Sequence, residues 1–384
     1  MWSRTRIHVA AFFSLLGFDC AAWITSLPAI SSALGLNGAQ LSTLLLAGPI
    51  GNFLAFPITG YLVAKFGSRR LILVGSAAYT AAVGLPWMGF HFHLPLIWWQ
   101  AFFVVFGFTG ALFAVACNTQ AGMEEKRSGR SIMSSCHALW SVASFLGGML
   151  TTAFLTHAKI LPYDWRFGVV ILIGAAVIWW ARTDLITSDT ASESKKKEGK
   201  RFVLDGLLIK LGLLAMVFMA CEGSVNEWSG IYFKDVLKTD ARYVMWGYCA
   251  SMAFVTIGRF TTDCLVEWFS ARRILHAYCL VALAGFSIAL GSPHILPASI
   301  PIHWGPTVGY ALAGLGLSCL VPLVFARAAK STRVPPGVGI TIVSSIGYLA
   351  FFLGPVLIGF LSMHVGLTLS LAFIAVLLPL GLLF

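Results

Sequence analysis

Two stretches of the chain, GYLVAKFGSRRLIL at 60–73 and DCLVEWFSARRILH at 263–276, can be aligned without a gap. They lie 203 residues apart, and each contains a Leu-Val pair, a phenylalanine and an Arg-Arg pair at matching places. The arginine pairs are Arg69–Arg70 and Arg272–Arg273. Two copies of one segment, about half a chain apart, are typical of a fold built by internal duplication.

Two further matches agree with this duplication. At a shift of 207 residues, ASFLGGML at 143–150 falls on AFFLGPVL at 350–357, and the four extra residues can be absorbed in loops. The shift of 203 also places Asp19 on Glu222, and both acids lie inside apolar runs. In duplicated transporters the solute site lies near the membrane midplane between the repeats, so these acids are candidate functional residues.

The composition indicates that the chain is embedded in lipid. Of its 384 residues, 58% are hydrophobic and 11% are charged, whereas a soluble domain carries roughly 25% charged residues. A membrane-spanning helix needs about 20 mostly apolar residues. The sequence therefore predicts an all-α membrane protein of two pseudo-symmetric six-helix bundles. Its twelve transmembrane segments, numbered span 1 to span 12, are 7–28, 40–63, 70–90, 96–120, 131–156, 167–183, 203–229, 242–264, 274–292, 304–326, 338–362 and 366–384.

The basic residues predict the orientation of these spans. Twenty-one of the 26 Lys and Arg residues fall on one side of the membrane. Because basic residues concentrate on the cytoplasmic side, both termini are predicted to be cytoplasmic, in a bacterial-type inner membrane. The net charge of +11 therefore reflects topology and gives no reason to expect nucleic acid as a partner. The other five basic residues are Lys159, Arg166, Lys234, Lys238 and Arg242.

A polar stretch, DTASESKKKEGKR at 189–201, separates span 6 from span 7. It predicts an N-terminal bundle at 1–183, a cytoplasmic linker at 184–202 and a C-terminal bundle at 203–384. The linker lysines set the orientation of the chain, with anionic lipid head groups as an alternative partner. The eight cysteines are scattered singly in apolar runs and predict helix packing, with no disulfide framework.

With twelve spans, a central basic loop and GYLVAKFGSRR after span 2, the chain resembles the major facilitator superfamily. The loop signature of that family reads roughly GxLaDrxGRRxxl. Gly60, Gly67, Arg69 and Arg70 match it, Lys65 replaces an arginine, and alanine stands where the family usually has aspartate. EGSVNEW at 222–228, CNTQAG at 117–122 and GYLAFFLGP at 347–355 resemble the fucose-permease-like group and a neighbouring branch of bacterial inner-membrane proteins. This resemblance implies the major facilitator fold and transport by alternating access.

Asp19 and Glu222 are the candidate proton-coupling residues. A carboxylate deep in a membrane costs about 2.5–3.5 kcal/mol on insertion scales, so it must meet water, a cation or a proton. The alternative for Asp19 is a hydrogen bond that holds span 1 to a neighbouring helix. Asn226 lies one turn beyond Glu222 on the same helical face, and Glu227 lies nearer the outer end on another face. In the fucose-permease-like group, carboxylates within the spans couple transport to protons.

Polar and aromatic side chains in the spans are the candidate solute contacts. Amides offer both hydrogen-bond donors and acceptors to a hydroxyl-rich solute, although they also join helices. His137 and Trp140 lie one turn apart on span 5, where the imidazole is able to titrate. The aromatic residues are candidates for stacking on a ligand, with interface anchoring as the alternative. The full set is Asn118, Asn226, His137, Trp23, Trp228, Tyr348, Asn52 and Trp140.

A candidate cytoplasmic gate lies where spans 2 and 8 end. Arg259, Asp263 and Glu267 step by four residues along span 8, a spacing that suits an ion-paired strip. We expect this strip to form a latch between the halves together with the loop after span 2, that is with Gly60, Lys65, Gly67, Arg69 and Arg70. A purely topological role for the arginines is the alternative.

No pattern in the sequence indicates an enzyme, a metal site or a cofactor. There is no GxxxxGK[ST] loop, HExxH or GxSxG, and no cysteine–histidine pair at metal-ligand spacing. The leading hypothesis is a monomeric, proton-coupled symporter of a small polar solute, such as a sugar or related metabolite. Its partners are the solute, protons and the lipid bilayer. A proton-driven exporter of metabolites or amphipathic compounds is the alternative, and a non-transporting membrane receptor is a third hypothesis.

Overall fold

The fold is known from a computed structural model. It describes residues 3–24, 30, 33–36, 38–156, 163–187, 205–240, 243–244, 246–297 and 299–383. These residues form helices and short connections, and no strand occurs among them. The prediction of an all-α protein is confirmed. From residue 188 to its end, the predicted linker lies outside the described residues.

The helices follow the predicted segments in order, and several segments consist of two helical pieces. Spans 1 to 6 comprise Arg4–Ile24, Gly38–Phe66, Ser68–Ala82 with Leu85–His91, Leu96–Ser128, Met133–Thr156 and Tyr163–Ala181. Spans 7 to 12 comprise Gly206–Ile231 continued by the π-helix Tyr232–Val236, Trp246–Phe269, Ala271–Ile295, Trp304–Leu317 with Leu320–Ala329, Pro336–Gly347 with Ala350–Val365, and Leu367–Ala375 with the 3₁₀-helix Leu378–Leu383.

Length and apolar character alone allow seven of the described helical stretches to cross a membrane, and two shorter apolar helices accompany them. Among the seven is span 11, although its helix is interrupted after Gly347 and resumes at Ala350 with Pro355 inside it. Proline lacks the N–H that an α-helix requires, so Pro355 donates no hydrogen bond to the carbonyl one turn earlier. Span 11 therefore combines an apolar sequence with an irregular backbone.

The two loops that carry the repeated motif have the same backbone conformation. Gly67 begins span 3 with φ 79° and ψ 153°, and Ser270 begins span 9 with φ 78° and ψ 147°. Positive φ is readily adopted by glycine and is strained for serine. Since the two residues are 203 positions apart, the internal repeat inferred from the sequence is present in the backbone as well.

The described contacts divide the chain into two compact units. Unit 1 comprises Met1–Ile132, Cys136–Val203 and Ala329–Ile342, and unit 2 comprises Met133–Ser135, Leu204–Ala328 and Val343–Phe384. Both units pack helices closely through small residues, as membrane proteins do. In unit 1, a Cβ on Gly107 would lie 2.0 Å from Gly48 O; in unit 2, a Cβ on Gly309 would lie 2.2 Å from Ala289 N.

Candidate functional site

Asp19 is completely buried in unit 1 and contacts span 3. The Thr80 hydroxyl donates to its Oδ2 at 2.6 Å, while Oδ1 is buried and has no hydrogen bond. Gly174 of span 6 packs against Thr80, where a Cβ would lie 2.4 Å from Thr80 Cγ2. No ion pair to Asp19 occurs among the described residues. An ionised carboxylate is costly in such a place, so the group is suited to bind a proton.

Trp23 lies one turn beyond Asp19, in a cluster of aromatic rings. It stacks on Phe106 with the centroids 4.5 Å apart and the planes at 8°, and it meets Phe103 edge to face. Its Nε1 is buried and has no hydrogen-bond partner. Phe106 thus covers one face of the indole that was predicted to stack on a solute, although the indole N–H remains unsatisfied.

His137 and Asn118, both predicted solute contacts, lie together in unit 1. His137 Nε2 and Asn118 Oδ1 are 3.0 Å apart, and Asn118 Nδ2 donates to Ala114 O at 2.9 Å. Because an amide oxygen can only accept, His137 Nε2 is the donor in this pair. Phe13 of span 1 packs edge to face on the imidazole at 5.0 Å. The structure therefore joins spans 1, 4 and 5 at one polar–aromatic group.

The other two solute contacts predicted in unit 1, Asn52 and Trp140, are not hydrogen-bonded to the His137–Asn118 group. Asn52 is half-buried on span 2 and makes no hydrogen bond to another described residue. Trp140 is half-buried on span 5, and its backbone closely approaches span 1, where a Cβ on Gly17 would lie 2.2 Å from Trp140 O.

Glu222 has a different environment from Asp19, although the repeat aligns them. Arg259 Nη2 donates to Glu222 Oε1 at 3.0 Å, and Arg259 Nε donates to Ser318 O at 3.2 Å. The Glu222 side chain is 24% exposed, and that of Arg259 is 8% exposed. The pair lies near the middle of the helices that carry it, Gly206–Val236 and Trp246–Phe269. Unit 2 thus holds an ion pair at the depth where a lone charge would be costly.

A cleft between spans 7 and 11 of unit 2 is lined by Glu227. The cleft is small, with a cavity volume of about 10 Å³, enough for one water molecule at most. Tyr348 lies half-buried at the break of span 11 and packs against Phe351, which also lines the cleft. Beside Glu227 in the chain, Trp228 Nε1 is buried without a hydrogen-bond partner, and Asn226 is exposed.

The loop after span 2 is held by contacts within unit 1. Gly60 closely approaches span 11, where a Cβ would lie 3.2 Å from Thr341 Cγ2. Lys65 Nζ donates to Tyr61 OH at 3.0 Å, and Arg70 is exposed. Of the predicted gate residues in this loop, Gly60 therefore contacts another span and Lys65 bonds within its own helix.

Arg69 and Gln120 hold the end of span 6. Arg69 Nη2 donates to Arg182 O at 3.4 Å. Gln120 is completely buried; its Nε2 donates to Ile186 O, and its Oε1 accepts from Ile186 N, both at 3.0 Å. The structure thus assigns Gln120, which was not predicted as a site residue, to anchoring the chain where it leaves span 6.

The predicted gate residues of span 8 are spread over different partners. Arg259 reaches Glu222, as described above. Both Asp263 oxygens accept backbone N–H groups at the start of span 5, from Ser134 at 3.3 Å and Ser135 at 2.8 Å. A carboxylate at a helix N-terminus stabilises it through the helix dipole. Glu267 is exposed and has no partner among the described residues.

Sequence reasoning also missed the ion pair between Glu125 and Lys330. Glu125 is buried at the end of span 4; its Oε2 lies 3.2 Å from Lys330 Nζ, and its Oε1 accepts from Ile132 N at 2.9 Å. In the sequence, only the acidic pair in MEEKRSGR pointed to this ion pair, and such a pattern is equally typical of a solvated loop. The described residues contain no cluster of three or more His, Cys, Asp or Glu able to hold a metal ion.

Comparisons with known proteins give consistent results. A family model of the Major Facilitator Superfamily matches residues 7–336. The chain is 30% identical over 374 residues to an uncharacterised MFS-type transporter of Yersinia pestis, covering 97% of this chain and 93% of that protein.

Solved structures are similar in fold. A crystal structure of FucP in the outward conformation has a TM-score of 0.81 at 16% identity, covering 98% of this chain and 97% of that chain. A second structure of FucP, the E. coli fucose:proton symporter, has a TM-score of 0.78 at 14% identity with the same coverage. The proton:xylose symporter XylE has a TM-score of 0.74 at 12% identity, covering 99% and 94%.

Proposed function

Because the chain belongs to the major facilitator superfamily, we propose that it carries a small polar solute, such as a sugar or related metabolite, together with a proton. The membership itself makes the chain a multi-pass membrane transporter and not an enzyme. It also confirms the resemblance and the fold predicted from the loop motif and the spans.

The observation that carries the proposal is the environment of Asp19. A buried carboxyl with one oxygen bonded to Thr80 and the other unbonded has the capacity to hold a proton. Ion pairing would instead have fixed the charge, as Arg259 does for Glu222. We propose Asp19 as the residue that binds the coupled proton. For Glu222 the same role requires that protonation release Arg259, which would link proton binding to a change in unit 2.

The proposed solute contacts centre on the His137–Asn118 group. An imidazole and an amide beside the Phe13 ring supply hydrogen bonds and an apolar face, the combination that a hydroxylated ring needs. The remaining candidates share polar or aromatic character and partial exposure or an unsatisfied polar atom: Asn52, Trp140, Trp23, Asn226, Trp228 and Tyr348.

The solved neighbours support the class of solute and the coupling. FucP is a fucose:proton symporter and XylE is a proton:xylose symporter. We propose that this chain works likewise by alternating access, as a monomer in an inner membrane, with both termini in the cytoplasm. The loops after spans 2 and 8 would form its cytoplasmic gate.

Two experiments in sequence test the proposal. A thermal-shift screen of the purified transporter against a metabolite library, with fucose and xylose included, identifies a solute, because a ligand of the folded state raises its stability. Proteoliposomes are then given a pH gradient in either direction. Proton symport requires solute to accumulate in the more alkaline compartment.

The alternatives give different results in the same vesicles. Accumulation in the acidic compartment would establish antiport and hence export. Solute flux that ignores the pH gradient would exclude proton coupling altogether. Binding without any flux would favour the receptor hypothesis.

A further inference from the structure

Three arginines of unit 1 meet where span 3 begins and span 6 ends. Arg69 and Arg70 lie in the first turn of span 3, and Arg182 directly follows the last residue of span 6. Arg69 Nη2 donates to Arg182 O at 3.4 Å, which joins the two helix ends. We propose that this arginine cluster binds the head group of an anionic phospholipid. The inference goes beyond the proposed function, because it depends on neither the solute nor the coupling to protons.

The guanidinium of Arg182 is held in place by Trp179, one turn earlier on span 6. Its Cζ lies 3.3 Å from the centroid of the Trp179 ring, so the planar group rests on the aromatic face. This contact uses a face of the guanidinium and leaves its N–H edge for a phosphate, which such an edge binds through two parallel hydrogen bonds. Trp179 is 67% exposed, and tryptophans at the ends of membrane helices lie at the level of the lipid head groups.

No carboxylate neutralises the arginine cluster among the described residues. The nearby acid in the chain is Asp184, whose Oδ2 accepts from the Thr183 hydroxyl at 3.0 Å and lies 3.5 Å from His8 Nδ1. Arg70 is exposed and has no ion pair within the described part of the chain. Positive charges that gather without a counter-ion repel one another, so an anion that reaches all three would be bound favourably.

The surface beside the arginine cluster is apolar, which favours a lipid over a free anion. Spans 3 and 6 pack antiparallel, since a Cβ on Gly174 would lie 2.4 Å from Thr80 Cγ2 and one on Gly84 would lie 3.0 Å from Ile171 Cδ1. Exposed apolar residues recur along both helices: Val74, Ala77 and Ala81 on span 3, and Leu172, Ala175, Ala176 and Trp179 on span 6. An acyl chain is able to lie on this surface beneath its head group. A phospholipid therefore satisfies both the arginines and the apolar surface, whereas inorganic phosphate satisfies the arginines alone.

The test is native mass spectrometry of the full-length transporter in detergent, mixed with phosphatidylglycerol or with phosphatidylcholine of the same chain length. We expect the wild type to retain phosphatidylglycerol in preference to phosphatidylcholine. Arg182→Gln should bind phosphatidylglycerol about fivefold more weakly, the effect of removing one cation near a membrane surface. Arg273→Gln is the matched control, because the repeat aligns the exposed Arg273 with Arg70 and the same charge is removed from unit 2. This control should retain the lipid as the wild type does.

Two further variants and one competitor complete the test. Arg182→Lys keeps the charge without the planar edge and should bind more weakly than the wild type but more tightly than Arg182→Gln. Trp179→Leu keeps all three arginines and should also weaken binding, because Arg182 loses its support. Equal losses in Arg182→Gln and Arg273→Gln would overturn the inference, since retention would then follow net charge. Equal retention of the two lipids by the wild type would overturn it as well. Displacement of phosphatidylglycerol by inorganic phosphate would show that the arginines bind a free anion and not a lipid.

Discussion

At the scale of single residues, the two acids that the repeat aligns are chemically different. Asp19 bonds to a hydroxyl at 2.6 Å, whereas Glu222 bonds to a guanidinium at 3.0 Å. An acid that must exchange a proton is hindered by a fixed cation, and an acid that must stay charged is helped by one. The duplication therefore preserved the positions of the acids while their partners diverged.

Asp19→Asn should abolish accumulation driven by a pH gradient and leave counterflow exchange of solute intact. The amide keeps the size of the side chain and a bond to Thr80 but cannot bind a proton at neutral pH. Uptake and counterflow in proteoliposomes measure the two activities. Thr80→Val is the matched variant, since it removes the bond and keeps the carboxyl; it should retain coupling. Full gradient-driven accumulation by Asp19→Asn would eliminate Asp19 as the coupling acid.

Neutralising Glu222 and neutralising Arg259 should lower the stability of the protein by different amounts. Glu222→Gln removes a carboxylate from a buried guanidinium and should cost about 3 kcal/mol, in the range for broken buried pairs. Arg259→Gln leaves a carboxylate whose side chain is 24% exposed and reachable by water, so its cost should be smaller. Thermal unfolding of the two variants and of the double variant measures this. Equal losses of stability in the two single variants would show that the exposure of the remaining charged side chain does not determine the loss.

The depth of these acids could be predicted from sequence, but their partners could not. A carboxylate inside an apolar run is visible in any window of 20 residues. Thr80 is 61 residues from Asp19, and Arg259 is 37 residues from Glu222. Only helix packing decides which of several polar residues on neighbouring spans completes the pair. His137 and Asn118 were both predicted from their polar character, while their mutual bond follows from the packing of spans 4 and 5.

At the scale of elements, the sequence predicted where helices lie better than where they break. Apolar runs gave the limits of spans such as Gly206–Ile231 to within a few residues. The interruption of span 11 after Gly347 and the π-helix Tyr232–Val236 leave the hydropathy unchanged. They arise from backbone hydrogen bonding, to which a hydropathy pattern is insensitive.

The two motif loops provide a stability test of the repeat. Ser270→Gly should raise the stability by about 1 kcal/mol, since φ 78° is strained for serine and its side chain makes no cap hydrogen bond. Gly67→Ala should lower it by about 1–3 kcal/mol, because alanine meets the same strain at φ 79°. Melting temperatures in one detergent report both changes. A loss of stability in Ser270→Gly would mean that the serine side chain, and not the backbone, shapes this loop.

At the scale of the whole molecule, the internal repeat and the distribution of basic residues are two independent sources of evidence about the same architecture. The repeat relates one half of the chain to the other, and Gly67 and Ser270 show that the relation extends to backbone angles. The basic residues instead predict which ends of the helices face the cytoplasm. An even number of spans is required for both termini to share a side, so the orientation and the count depend on each other.

Reporter fusions should therefore give a fixed pattern along the chain. Green fluorescent protein joined after Phe384 should fluoresce, because the C-terminus is predicted to be cytoplasmic, and alkaline phosphatase at the same point should be inactive. Phosphatase placed in the loop that carries Lys234 and Lys238 should be active, since that loop holds few of the 26 basic residues. The two sites are separated by five predicted spans, an odd number, so they must report opposite sides. If both sites reported the same side, a span would have been miscounted between them, and the six-helix composition of the second half would be wrong although the repeated loops remain.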